Sequence, residues 1–157
     1  MKYMWSFLLV FSLLSCGGSQ DSTDNFDITK STESGQQKIK ASEKVDLENK
    51  GVGPIKSLEL SESIDQELAK TGEGLFKSNC TICHKIGSKF VGPALKGVTD
   101  RRSPEWIMNM ILNTEYMLRD DPLAKELFME FNGSPMTNVG FEQDQARAVL
   151  EYLRTEL

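Results

Sequence analysis

The chain has 157 residues with 18 basic and 23 acidic groups, a net charge of −5, which gives no basic footprint for a nucleic-acid partner. Three cysteines and a single histidine sharply limit the metal chemistry that one copy can assemble.

Residues 1–15 read as an export signal. Lys2 gives a short positive start, and Tyr3 to Leu14 is an apolar run of twelve residues, too short for a bilayer span of about 20. The run ends in Leu13-Leu14-Ser15-Cys16 before Gly17-Gly18. That ending resembles a bacterial lipobox, in which cleavage before the cysteine is coupled to its acylation. Cys16 is therefore expected to carry a lipid anchor; an ordinary cleaved signal with a chance cysteine is the alternative. Loss of residues 1–15 leaves 17 basic and 23 acidic groups, net −6.

Residues 17–60 show no apolar periodicity and are crowded with polar and charged residues, a composition that buries too little to offset ordering. With Cys16 they read as a flexible tether, residues 16–60, in which the 44 residues from 17 to 60 would span roughly 35 to 40 Å as a coil. The alternative is that Val52 to Leu60 packs on the folded domain as an extended arm. The domain itself is expected over residues 61–157, a size at which one apolar core is marginal.

Helical patterning dominates that domain. Ser61 or Ser63 can cap a first helix, in which Ile64, Leu68, Leu75 and Phe76 recur near a 3.6 period. Gly72 on that face costs helix propensity, and close approach of the last helix, around Val149, Tyr152 and Leu153, would compensate. The helix leads into Cys80-Thr81-Ile82-Cys83-His84. Two thiols three positions apart with an imidazole directly after them form the attachment signature of a c-type haem. The thiols would add across two vinyl groups, and His84 would rise beneath the iron. A zinc site would need a fourth ligand, a thioredoxin-like pair would need a strand context, and a structural disulfide would leave His84 unexplained.

Further on, Ser103-Pro104 is a cap followed by proline at the first helical position, with Trp106, Ile107, Met110 and Ile111 as the inward stripe. Asp121-Pro122 repeats the device, with Leu123, Leu127, Phe128 and Phe131 buried and Asn132-Gly133 as the stop. A last helix runs from about Glu142 to Thr155. The fold class is all-α, wound round one haem. No second histidine exists, so a second iron ligand must be something else, and methionine is the common choice. Met136, in the turn-rich loop Ser134-Pro135-Met136-Thr137-Asn138, is preferred, with Met117 as the alternative.

From about Gln66 to the C-terminus, the order Gly72, Phe76, Cys80 to His84, Gly92-Pro93, Trp106, Met136 and Tyr152 resembles a class I, single-haem cytochrome c domain. The resemblance implies four to five helices round one covalently attached haem c, with N- and C-terminal helices crossing. It implies that the Pro93 carbonyl takes a hydrogen bond from His84, that Trp106 borders a haem propionate, and that Phe90, Leu95, Met110 and Pro135 complete the pocket. The stretch Asn113 to Gly133 departs from the shortest members by a full helix. The implied function is one-electron transfer in a respiratory chain rather than enzymatic catalysis. A quinol-oxidising complex would be the donor and a terminal oxidase or reductase the acceptor. A dedicated electron-entry subunit, or a haem peroxidase or gas sensor, are the alternatives. Haem attachment of this kind is completed outside the cytoplasm, so motif and signal agree on the periplasmic side of a bacterial membrane. Residues 66–102 carry seven basic and three acidic groups and residues 103–157 four and ten, a dipole suited to steering an acidic partner.

Overall fold

A computed structural model describes residues 39–157; the export signal, Cys16 and the first part of the tether lie outside them. Within the described residues the regular structure is helical: α1 (Gln66–Asn79), α2 (Pro104–Leu112), α3 (Thr114–Asp120), α4 (Pro122–Glu130) and α5 (Gln143–Thr155), with a 3₁₀ turn at Val98–Asp100. The all-α architecture follows the expectation. No helix among the described residues is long and apolar enough to cross a membrane.

All of these helices except α3 start where a side chain can accept the orphan N–H groups of the first turn. For α1 that residue is Asp65, whose Oδ1 takes Glu67 N and Leu68 N at 3.0 Å each. Ser61 and Ser63, the expected caps, hydrogen-bond each other instead. An aspartate serves better because its charge also complements the helix dipole. Ser103 and Asp121 cap α2 and α4 as expected, accepting Trp106 N at 3.1 Å and Ala124 N at 2.7 Å. Glu142 and Gln145 close a reciprocal capping box on α5.

The frame of the fold is the meeting of α1 with α5. Ala69, Gly72 and Phe76 are the buried residues of α1, and a Cβ at Gly72 would overlap the Ala148 carbonyl and come within 2.9 Å of Val149 N. The glycine lets two backbones touch, which offsets its propensity cost. One turn on, the Phe76 and Tyr152 rings pack at 5.2 Å, a favourable tilted geometry. Glu151 is fully buried in the same layer. Its carboxylate takes Asp65 N at 2.8 Å, pairs with Arg154 at 2.7 Å and also pairs with Arg147.

Contacts of the helical body reach back before residue 61. Residues 41–60 form an arm on the helical body, longer than the Val52 to Leu60 alternative. Ala41 and Ile55 are buried, but polar bonds do most of the docking. Asn109 Oδ1 accepts Ile55 N at 3.0 Å, and its amide donates to Lys50 O and Ile55 O at 2.8 Å. Glu105 takes Leu58 N and the Lys50 ammonium, and Asn113 donates to Val52 O. Asn49 donates to Asp121, and Glu130 receives both the N–H and the hydroxyl of Ser42. The arm is polar in composition because its backbone is satisfied by side chains of the body.

Candidate haem site

The geometry begins where α1 ends. Cys80 N bonds back to Phe76 O at 2.8 Å, and the chain then makes a turn with Cys83 N and His84 N both directed at Cys80 O, at 3.1 and 2.8 Å. This turn brings Cys80, Cys83 and His84 into the wall of one large cleft of about 1400 Å³, counted out to open solvent. The segment after it is tied back by Gly92 N to Cys83 O at 2.9 Å and by Leu95 N to Ile86 O at 3.0 Å.

Those ties fix the imidazole. His84 Nδ1 lies 3.1 Å from the Pro93 carbonyl, so Nδ1–H donates and Nε2 keeps its lone pair. A Cβ at Gly92 would stand 2.5 Å from His84 Cε1 and 2.9 Å from Nδ1; the ring needs that glycine. Burial holds His84 below its ordinary 6.5, against the upward pull of the Pro93 bond, so the ring is neutral at pH 7. Burial, with Cys83 beside it, pushes the Cys80 thiol up to about 11. That is opposite to the acidified thiolate of a thioredoxin-like pair.

Of the expected pocket residues, Pro93, Leu95, Trp106, Met110 and Pro135 line the cleft, and Met136 lines it together with His84. Phe90 does not. It is 48% exposed, under the Lys85 ammonium at 4.5 Å, and its neighbour Val91 lines the cleft. The turn closed by Phe90 N to Gly92 O rotates the chain by one residue. Met117 lies elsewhere: it is fully buried in α3, and its sulfur accepts Val52 N at 2.9 Å. Trp106 borders the cleft, but its one N–H donates to Asp121 at 3.1 Å and so is spent before any propionate can take it.

Sequence reasoning missed Ser42, Arg102 and Phe141 among the lining residues. Phe141 was legible as the apolar residue ahead of α5; Ser42 and Arg102 become visible only once the arm is folded back. Among the described residues, Arg101 and Arg102 are the cationic groups of the lining, and no acidic side chain contributes to it. Apolar walls, two free thiols, a neutral imidazole with an open lone pair, a thioether sulfur and two guanidiniums fit a flat, apolar iron macrocycle bearing carboxylates. No cluster of His, Cys, Asp or Glu among the described residues offers a competing metal site.

Comparison with known proteins agrees with this chemistry. The family model described as cytochrome c matches residues 69–156. The chain is 34% identical over 62 residues to a cytochrome c-553-like protein of Synechocystis sp., covering 38% of this chain and 59% of that one. It is 41% identical over 51 residues to cytochrome c-551 of Stutzerimonas stutzeri, covering 32% of this chain and 49% of that one. It thus spans about half the length of these two sequence relatives. Among solved structures it is similar to the cytochrome c of Rhodothermus marinus, with a TM-score of 0.64 and 44% identity over 74% of this chain and 92% of that one. By its motif, its fold and the extent of these matches, the chain belongs to the cytochrome c family, with haem c as cofactor, and Cys80 and Cys83 fit the attachment motif.

Proposed function

We propose that the protein is a one-electron carrier of a respiratory chain and not an enzyme, with iron held between His84 and Met136. The observation that carries this is the shared cleft: His84, oriented by Pro93, and Met136 both line it, while Met117 is committed to the arm. Two protein ligands leave no position for oxygen or peroxide. Bound haem supplies a ferric–ferrous couple, and methionine ligation raises its potential. Pro93 keeps the imidazole basic and in place, and the apolar walls exclude water.

Electrons would pass at the thioether edge. There Ile82, between the two cysteines, is 77% exposed, with Phe90 and Val91 at 48% and 43%. Lys85 covers Phe90, and Lys89 stands over Phe131 at 4.6 Å. An apolar centre with a basic rim suits an acidic redox partner. A quinol-oxidising complex as donor and a terminal oxidase or reductase as acceptor are the partners in this reading. The protein would work on the periplasmic side of a bacterial membrane, held by lipid on Cys16.

Absorption of the oxidised holoprotein tests the ligand. Met136→Ala should abolish the weak far-red thioether-to-iron band, and its retention in that variant overturns the assignment. Transfer rates with an acidic partner should fall steeply with ionic strength; a flat dependence removes the steering. Cys16→Ser should release the protein from membrane fractions, and a variant that stays membrane-bound overturns the lipid anchor.

A further inference from the structure

Arg102 is an unusual buried cation. It is 3% exposed, lines the haem cleft and lies over the Trp106 ring at 5.5 Å, yet among the described residues it forms no ion pair. Three of its five N–H groups donate to the carbonyls of Ala41, Lys44 and Arg101. Two of those three acceptors belong to the arm. Ser42, between them, also lines the cleft and is gripped by Glu130. The arm is thus the lid that keeps this guanidinium against the cofactor site and away from water.

We propose that the docked arm of residues 41–58 sets the reduction potential of the haem by holding the Arg102 charge in the cleft, so that arm docking and oxidation state are coupled. The physical chain is short. Ferric haem carries one more positive charge than ferrous haem, and a cation held in a low-dielectric cleft disfavours that extra charge. When the arm lifts, Arg102 loses two of its three acceptors and its cover, turns to water and is screened. The docked arm therefore raises the potential. By reciprocity the ferrous protein holds the arm more tightly than the ferric protein does.

The polar docking described above suits such a switch. Bonds to Glu105, Asn109 and Glu130 can open locally without disturbing α1 and α5. The inference rests on the electron-carrier reading but not on the identity of the second iron ligand.

Native-state hydrogen exchange on the full-length holoprotein tests it directly. The reporters are the amides of Ser42, Val52, Ile55 and Leu58, whose partners are Glu130, Met117, Asn109 and Glu105. Relative to amides within α5, they should exchange faster in the ferric than in the ferrous state. Each tenfold in that ratio corresponds to a 59 mV lower potential with the arm open. Asn109→Ala, which removes three arm bonds and no cleft contact, should speed these amides and lower the midpoint potential accordingly. Arg102→Gln should lower the potential too, and adding Asn109→Ala to it should lower it no further.

Equal arm exchange in the two oxidation states overturns the coupling. So does an Asn109→Ala protein with a loosened arm and an unchanged potential, or additive shifts in the double variant. In all of these the wild-type protein keeps its reversible one-electron couple. Absence of that couple would instead overturn the proposed function.

Discussion

The arm of residues 41–60 and the pair formed by α1 and α5 are both parts of one folded body, yet they are held by different forces. α1 and α5 bury contiguous apolar surface, touch backbone to backbone at Gly72 and Ala148, and enclose the paired Glu151. The arm has no regular structure apart from a single bridge between Asp46 and Arg102. Its backbone is bound, one hydrogen bond at a time, to Glu105 and Asn109 on α2 and to Asn113 just after it. Apolar packing is collective, so the helix pair fails as a whole; discrete polar bonds exchange with water one at a time, so the arm can fail alone.

The sharpest way to break that contrast is at Glu151. Glu151→Ala strands two arginines in the core and should cost about 3–5 kcal/mol, seen as a lower denaturant midpoint of the holoprotein. Burial pushes the Glu151 carboxyl up, but the Asp65 N–H, Arg147 and Arg154 outweigh it and hold it below its ordinary 4.5. Its contribution is therefore complete above that value and is lost as pH falls through the lower folded one. Glu105 has the same sign, with burial opposed by Lys50 and Leu58 N. Acid titration should thus loosen both regions together, which exchange at stepped pH would record. Gly72→Val should cost about 3 kcal/mol by overpacking, again over the whole molecule, in thermal unfolding.

Asn109→Ala should cost about 2 kcal/mol, because Ile55 N and two carbonyls lose their partner. The loss should concentrate in the arm: equal acceleration of exchange in α5 would erase the distinction between the regions. The smallest effect belongs to Met117→Leu, a volume-conserving change that removes only the acceptor of Val52 N, at about 1 kcal/mol. It should leave the far-red band of the oxidised protein intact, in contrast to Met136→Ala.

The helical half of this comparison was legible because its signals are local. Ser103-Pro104, Asp121-Pro122 and Cys80 to His84 each work within five residues, and Asn132 and Gly133 stop α4 with φ of 58° and 71° as their types suggest. The Gly72 contact was readable from the cost of a glycine on a buried face. The arm was not legible from its own composition, since polarity there means bonds to distant side chains rather than solvation. A signal did exist on α2 and its C-cap: Glu105, Asn109 and Asn113 recur every four residues, one row beside the Trp106 and Met110 stripe, and buried Glu105 and Asn109 ask for a backbone to satisfy. Phe90 was misplaced for a simpler reason. Around a tight turn one residue of register separates the wall of the cleft from the surface, and apolarity alone does not choose between Phe90 and Val91.

The arm also dictates an order of assembly. Its bonds join residues 47 to 88 positions apart in the chain, whereas the turn from Cys80 to His84 closes on itself. Long closures are slow and local ones fast, and the residues that receive the arm come after the attachment motif in the chain. While the arm is still loose, Ser42 and the Arg102 clasp do not yet cover the cleft, so a nascent molecule presents its thiols to haem before the last wall arrives. The local turn thus forms ahead of both long closures, the arm and the equally distant meeting of α1 with α5 at Gly72 and Ala148.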